Sequence, residues 1–143
     1  MAAFGFLSVL EEEMDKVFEY DYEINWDKKN HAVELSFILE VGIEDDVVAL
    51  EEFILFYNPS KSHFAKDDYL VAFPYEQKKG FSREFLAYLA TTLNDLAQEG
   101  ISDIIDFLED ETAEEFTLVW DEATFEQGRS KLVETDFYPY PRY

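Results

Sequence analysis

One stretch constrains the fold more than any other: Gly80 to Gly100, where a helix start, an apolar face and a stop signal agree. Ser82 stands where an N-cap hydroxyl can accept from a free backbone amide. Glu84 in the first turn suits the positive end of the helix dipole. Phe81 and Leu86 are spaced for a hydrophobic staple across the cap. Phe85, Leu86, Leu89, Ala90, Leu93, Leu96 and Ala97 recur at three- and four-residue intervals and make one apolar stripe. Gly100 then offers a left-handed stop, with Ile101 folding back onto Leu96 and Ser102 capping a shorter helix after it. A helix of this kind must bury its stripe against another layer.

The layer it needs is written upstream. Phe6, Leu7, Leu10, Met14, Val17 and Phe18 repeat at helical spacing and predict a first helix over about Phe4 to Tyr20. The period then changes to two. Tyr22, Ile24 and Trp26 form the apolar face of one strand, and Asp27 to His31 closes a hairpin. Val33, Leu35, Phe37, Leu39 and Val41 form the face of the next, opposite Glu34, Ser36 and Glu40. One dry face and one wet face imply antiparallel pairing. Val47 to Tyr57 reads as a third strand, its alternation broken at Glu51 and Glu52 as if by a bulge. Asp68 to Tyr75 reads as a fourth, and Phe116 to Trp120 allows a fifth. Asp121 can cap a last helix, and the proline-bearing tail from Phe137 cannot be helical. The expected fold is therefore one α+β domain. An antiparallel meander of four or five strands carries an N-terminal helix and two or three C-terminal helices on one face.

Charge narrows the function classes. The chain holds 33 acidic and 11 basic residues, a net charge of -22. That field repels phosphate backbones and anionic lipid, so direct nucleic-acid or membrane binding is not expected, and a basic protein partner is. The 14 Phe and 9 Tyr supply a core that disordered acidic chains lack. With no cysteine, disulfides, thiol catalysis and zinc-thiolate sites are excluded. The apolar opening has no preceding Lys or Arg and runs straight into Glu11, Glu12 and Glu13, so it does not read as a signal peptide, and the cytoplasm is the expected compartment.

The charges are also unevenly placed. Residues 84 to 128 hold thirteen Asp or Glu and no Lys or Arg; residues 61 to 83 hold five basic residues against three acidic ones. This basic island ends at the start of the central helix, where free amides favour an anion. Lys61, Lys78, Lys79, Ser82 and Arg83 are thus candidates for a phosphate or a partner's carboxylate, although no Walker loop or dinucleotide fingerprint accompanies them. The plainer account is a solvated loop balancing an acidic body.

The acidic run Asp103, Asp106, Glu109, Asp110, Glu111, Glu114 and Glu115 lacks the spacing and central Gly of a calcium loop, so it predicts loose counterions and no metal site. His31 and His63 stand in a turn and a loop, outside any nucleophile or zinc motif. No catalytic residue and no cofactor is therefore expected. Tyr138, Tyr140, Arg142 and Tyr143 form a second candidate, an extended aromatic peptide for a partner's groove. The competing account lays that tail back over the core.

Four blocks carry a family likeness: Ile24 to His31, Phe56 to Lys61, Gly80 to Tyr88 and Phe137 to Tyr143. Across essentially the whole chain the sequence resembles an uncharacterised family of acidic proteins of about this length from lactic acid bacteria and their relatives, catalogued as a domain of unknown function. The resemblance implies a single-domain bacterial protein of the cytoplasm and brings no activity, cofactor or catalytic residue with it. The functional expectation is accordingly a non-enzymatic acidic interaction module. Its alternatives are an anion binder at Lys78 to Arg83 and a nucleic-acid mimic that occupies a basic protein.

Overall fold

The computed structural model describes residues 4–43, 46–76, 78–109 and 118–141. It is an α+β fold: α1 (Gly5–Val17), β1 (Asp21–Asp27), β2 (Ala32–Ile43), β3 (Asp46–Tyr57), β4 (Val71–Pro74), β5 (Phe81–Ser82), α2 (Arg83–Glu109), α3 (Glu122–Arg129) and β6 (Phe137–Tyr138). The first four strands make one sheet in the order β1-β2-β3-β4, and β5 pairs with β6 in a separate ribbon.

The period-two pattern folds as read. Tyr22, Ile24 and Trp26 turn to the helices, and β1 runs antiparallel to β2 from Asp21 opposite Ile38 to Asp27 opposite Ala32. The hairpin between them closes through a short helical turn, with His31 in the left-handed region at φ 51°. Val33, Leu35, Phe37 and Leu39 are fully buried beneath α1 and α2. Phe6, Leu10 and Met14 of α1 and Phe85, Leu86, Leu89 and Leu93 of α2 complete that core. Burying each of these side chains stabilises the fold by about 1.5–3 kcal/mol.

Four details depart from the sequence reading. The pairing of β2 with β3 continues one-to-one through Phe37–Glu52 and Ile38–Glu51, so the broken alternation is not a bulge. It reflects a carboxylate, Glu52, set on the helix-facing side of β3, where it is half-buried. Secondly, β4 pairs with β3 in parallel, from Ile54–Val71 to Tyr57–Pro74. The chain turns at Asn58 and recrosses the sheet before β4, laying Phe64 on Tyr57 (4.6 Å) and Tyr69 against Phe64 (5.9 Å). A parallel neighbour needs such a crossover, whereas a tight hairpin would have made a meander.

Thirdly, α2 does not stop at Gly100; it runs unbroken to Glu109, with Ser102 exposed inside it. A Cβ at Gly100 would lie 2.8 Å from Leu118 Cδ2 and 3.2 Å from Leu39 Cδ1. The glycine thus answers to close packing of α2 on β2, and the left-handed close is not formed. Lastly, Leu118–Trp120 has no regular structure, and Phe116 and Thr117 lie outside the described residues, so the fifth strand is not seen. Asp121 does cap α3, its Oδ1 accepting from Thr124 N at 3.1 Å.

Candidate functional site

The basic island and the aromatic tail, two separate candidates in the sequence, meet at one place. Ser82 caps α2 as read, its Oγ accepting from Phe85 N at 2.9 Å. The same hydroxyl donates to Glu134 Oε1 at 2.7 Å, and Ser82 is fully buried. Arg83 reaches two elements at once. Its guanidinium lies 3.0 Å from Glu12 Oε2, 3.2 Å from Glu13 Oε1 and 3.6 Å from Asp136 Oδ2, with the Tyr138 ring 5.4 Å away. Its backbone amide donates to Asp136 O at 2.8 Å. Glu84 accepts from the amides of Thr135 and Asp136, and these bonds hold its carboxyl below the ordinary carboxylate range.

The Ser82 and Arg83 side chains of the anion candidate are therefore met by carboxylates of this same chain. Lys79 Nζ sits over the Phe137 ring at 4.6 Å, and Lys78 is exposed. Lys61 is exposed in the turn after β3, where its amide donates to Asn58 O at 3.2 Å, and it is not brought together with Arg83.

The tail follows as a strap. Phe81 pairs with Tyr138 and Ser82 with Phe137. Pro139 O accepts from Phe6 N at 2.9 Å. Tyr140 stacks on Tyr75 at 4.9 Å and accepts a 2.8 Å bond from Trp26 Nε1. Two glycines make room for it. Gly5 (φ +54°) and Gly80 (φ +63°) are left-handed, and a Cβ on either would collide with the strap's own backbone at Pro139 or Tyr138. Tyr138 and Tyr140 are thus half-buried in the fold, the arrangement of the competing account; Arg142 and Tyr143 lie outside the described residues.

The remaining candidates are placed as follows. Asn30 and His63 exchange two bonds at 2.7 and 2.8 Å, and Ser62 Oγ donates to His31 O at 3.2 Å, so these residues tie the post-β3 turn to the hairpin. Asp103, Asp106 and Glu109 are exposed on α2, and the rest of that acidic run lies outside the described residues. Among the described residues no group of three or more His, Asp or Glu is arranged to hold a metal, and no helix is long and apolar enough to cross a membrane.

Two regions escaped the sequence reading. The first is the sheet face turned away from the helices. Asp21, Glu23, Glu40 and Glu51 stand on it around exposed Ile38 and Val47, and β1, β2 and β3 contain no Lys or Arg. The second is a groove of about 750 Å³ between β4 and the approach to α3. Alternation announced the first as wet, but only the register brings Asp21, Ile38 and Glu51 into one row.

The match to known proteins is over the full length: the family model of proteins of unknown function numbered DUF3013 covers residues 1–142. The chain belongs to DUF3013. A conserved protein of unknown function from Enterococcus faecalis, known from its crystal structure, is 37% identical, with a TM-score of 0.85 over 99% of this chain and 98% of its own. The DUF3013 fold described above is thus shared with a bacterial protein. Among curated proteins none matches the chain.

Proposed function

We propose that this DUF3013 protein is an acidic docking module, whose exposed sheet face takes a basic surface of another protein. The observation that carries the reading is the unequal treatment of its charges. Arg83 is consumed inside the fold by Glu12, Glu13 and Asp136, whereas Asp21, Glu23, Glu40 and Glu51 share a face whose strands supply no cation. Exposed like charges on one face cost free energy through mutual repulsion, and a complementary partner relieves it. Ile38 and Val47 give that face apolar area to bury. The anion-binder alternative is less well supported, because the Arg83 and Ser82 side chains are already bonded to the chain's own carboxylates, and the Arg83 and Phe85 amides to Asp136 O and Ser82 Oγ. Nucleic-acid mimicry is the special case in which the basic partner binds DNA or RNA.

The test compares two variants of equal charge change in pull-downs from cell extract. One carries Glu23→Lys, Glu40→Lys and Glu51→Lys on the sheet face; the other carries Glu99→Lys, Asp103→Lys and Asp106→Lys on α2. The reading expects proteins retained at low salt by the wild type and the helix variant, and released by the face variant and by high salt. Equal loss with both variants would mean that net charge alone acts, and would overturn it.

A further inference from the structure

The groove beside β4 has the features of a peptide site. β4 ends the sheet, with β3 on one side and no strand on the other among the described residues. Leu70 N donates to Phe53 O at 2.8 Å and Tyr75 N to Tyr57 O at 2.9 Å. Alternation back from Tyr75, in the register that sets Tyr57 opposite Pro74, turns the amides of Phe73 and Val71 onto β3 and leaves the N–H and C=O of Ala72 facing the groove. Across the groove stand Leu118, exposed Val119 and Trp120. The Trp120 indole N–H is buried and has no acceptor among the described residues. A buried donor without a partner destabilises the fold, and a ligand carbonyl would satisfy it.

The charges select the ligand. Glu52, Asp67, Asp68 and Glu122 line the groove against one Lys66. Glu52 forms no ion pair among the described residues, and burial pushes its carboxyl above the ordinary range. A cation brought beside it would restore the charged form.

We propose that this groove binds an extended, lysine- or arginine-bearing peptide segment, which adds to the free edge of β4 as a further strand. Its backbone would pair with the N–H and C=O of Ala72, its apolar side chains would pack on Leu118 and Trp120, and its cations would face Glu52 and Glu122. Pro74 closes the site at one end, since it has no amide to offer. A volume of about 750 Å³ falls within the usual range for ligand sites. This deepens the docking role but rests on a different surface, so either can fail alone.

The experiment uses the full chain and a fluorescein-labelled peptide of alternating Lys and Val, with a Glu–Val peptide as control. Anisotropy should report saturable binding of the first and none of the second. Glu52→Gln with Glu122→Gln should weaken binding by about tenfold, the scale of one or two charge contacts. Trp120→Phe, which keeps the ring and removes the donor, should weaken it by a few fold. The triple substitution on the sheet face should leave it within about twofold. Hydrogen exchange should show the Ala72 amide protected only when peptide is present, and melting curves confirm that each variant is folded. The proposal is overturned by equal affinity in the Glu52/Glu122 variant, by an Ala72 amide already protected in the free protein, or by dimers in light scattering that the peptide dissociates.

Discussion

The two ends of the charge scale are handled in opposite ways. At the start of α2, a basic corner is closed from within: the Arg83 and Ser82 side chains find partners in α1 and the strap, the Arg83 amide donates to Asp136 O and the Phe85 amide to Ser82 Oγ. On the outer sheet face, carboxylates stand in rows with no cation from their own strands. The difference teaches that basic residues in so acidic a chain need not mark a ligand site. A scarce cation is worth most where it ties distant segments together, and Arg83 ties residues 12, 13 and 136 to the helix start. Carboxylates are abundant enough to be left outside.

If the basic corner is structural, damaging it should cost the most. Gly80→Ala would force a Cβ onto the Tyr138 carbonyl in a left-handed conformation. A loss of at least about 2 kcal/mol in chemical denaturation is expected, combining backbone strain with loss of the β5–β6 ribbon. Next comes Arg83→Ala, which leaves the nearly buried Glu13 carboxylate with Lys16 alone and unties Glu12 and Asp136, and should cost about 1–2 kcal/mol. A neutral result for either would remove the contrast between the two regions.

The strap and the groove should also answer to pH with opposite signs. Glu84, at the strap, has its carboxyl held down by the Thr135 and Asp136 amides. Its stabilisation is present above the unfolded value and lost as pH falls through the folded one. Glu52, at the groove, is held up by burial, so its ionisation weakens the fold as pH rises through its folded value. Glu84→Gln should therefore lower the melting temperature near pH 7, by an amount that shrinks as pH falls below the ordinary carboxylate range. Glu52→Gln should raise it near pH 7 and have little effect near pH 3. Matching signs near pH 7 would show that one of these environments is misassigned.

Smaller effects sharpen the account elsewhere. Glu23→Lys, Glu40→Lys and Glu51→Lys should each change stability by no more than about 0.5 kcal/mol, as surface positions do. Gly100→Ala should fall within about 1 kcal/mol of the wild type, because the propensity gained inside a continuous helix offsets the shift demanded of Leu118. A larger loss would favour a helix that turns left-handed at Gly100.

Much of the fold was legible because it is local. Caps such as Ser82 and Asp121 announce themselves within four residues, and the alternation of Val33 to Val41 requires a sheet with one dry face. What failed was non-local. Gly100 carries the residue type of a stop, but its neighbours Leu39 and Leu118 are far off in sequence and turn it into a packing site. β4 looked like another meander strand, since nothing in Val71 to Pro74 records which way the chain recrosses. The candidate site divided similarly. The basic island was visible as composition, but its partners Glu134 and Asp136 lie some fifty residues away and looked like ordinary acids. The groove depends on Trp120 meeting Phe73 at 6.1 Å, a contact that no spacing rule reaches.

The most direct test of the central claim is an amide NMR titration of the full chain with a lysine-rich peptide at low salt. Shifts should gather on Asp21, Glu23, Ile38 and Glu51 and along β4, while Lys79 to Glu84 stay still. Shifts spread evenly along the α2 acids Glu99 to Glu109, or centred on Arg83, would contradict a chain that buries its cations and presents its carboxylates.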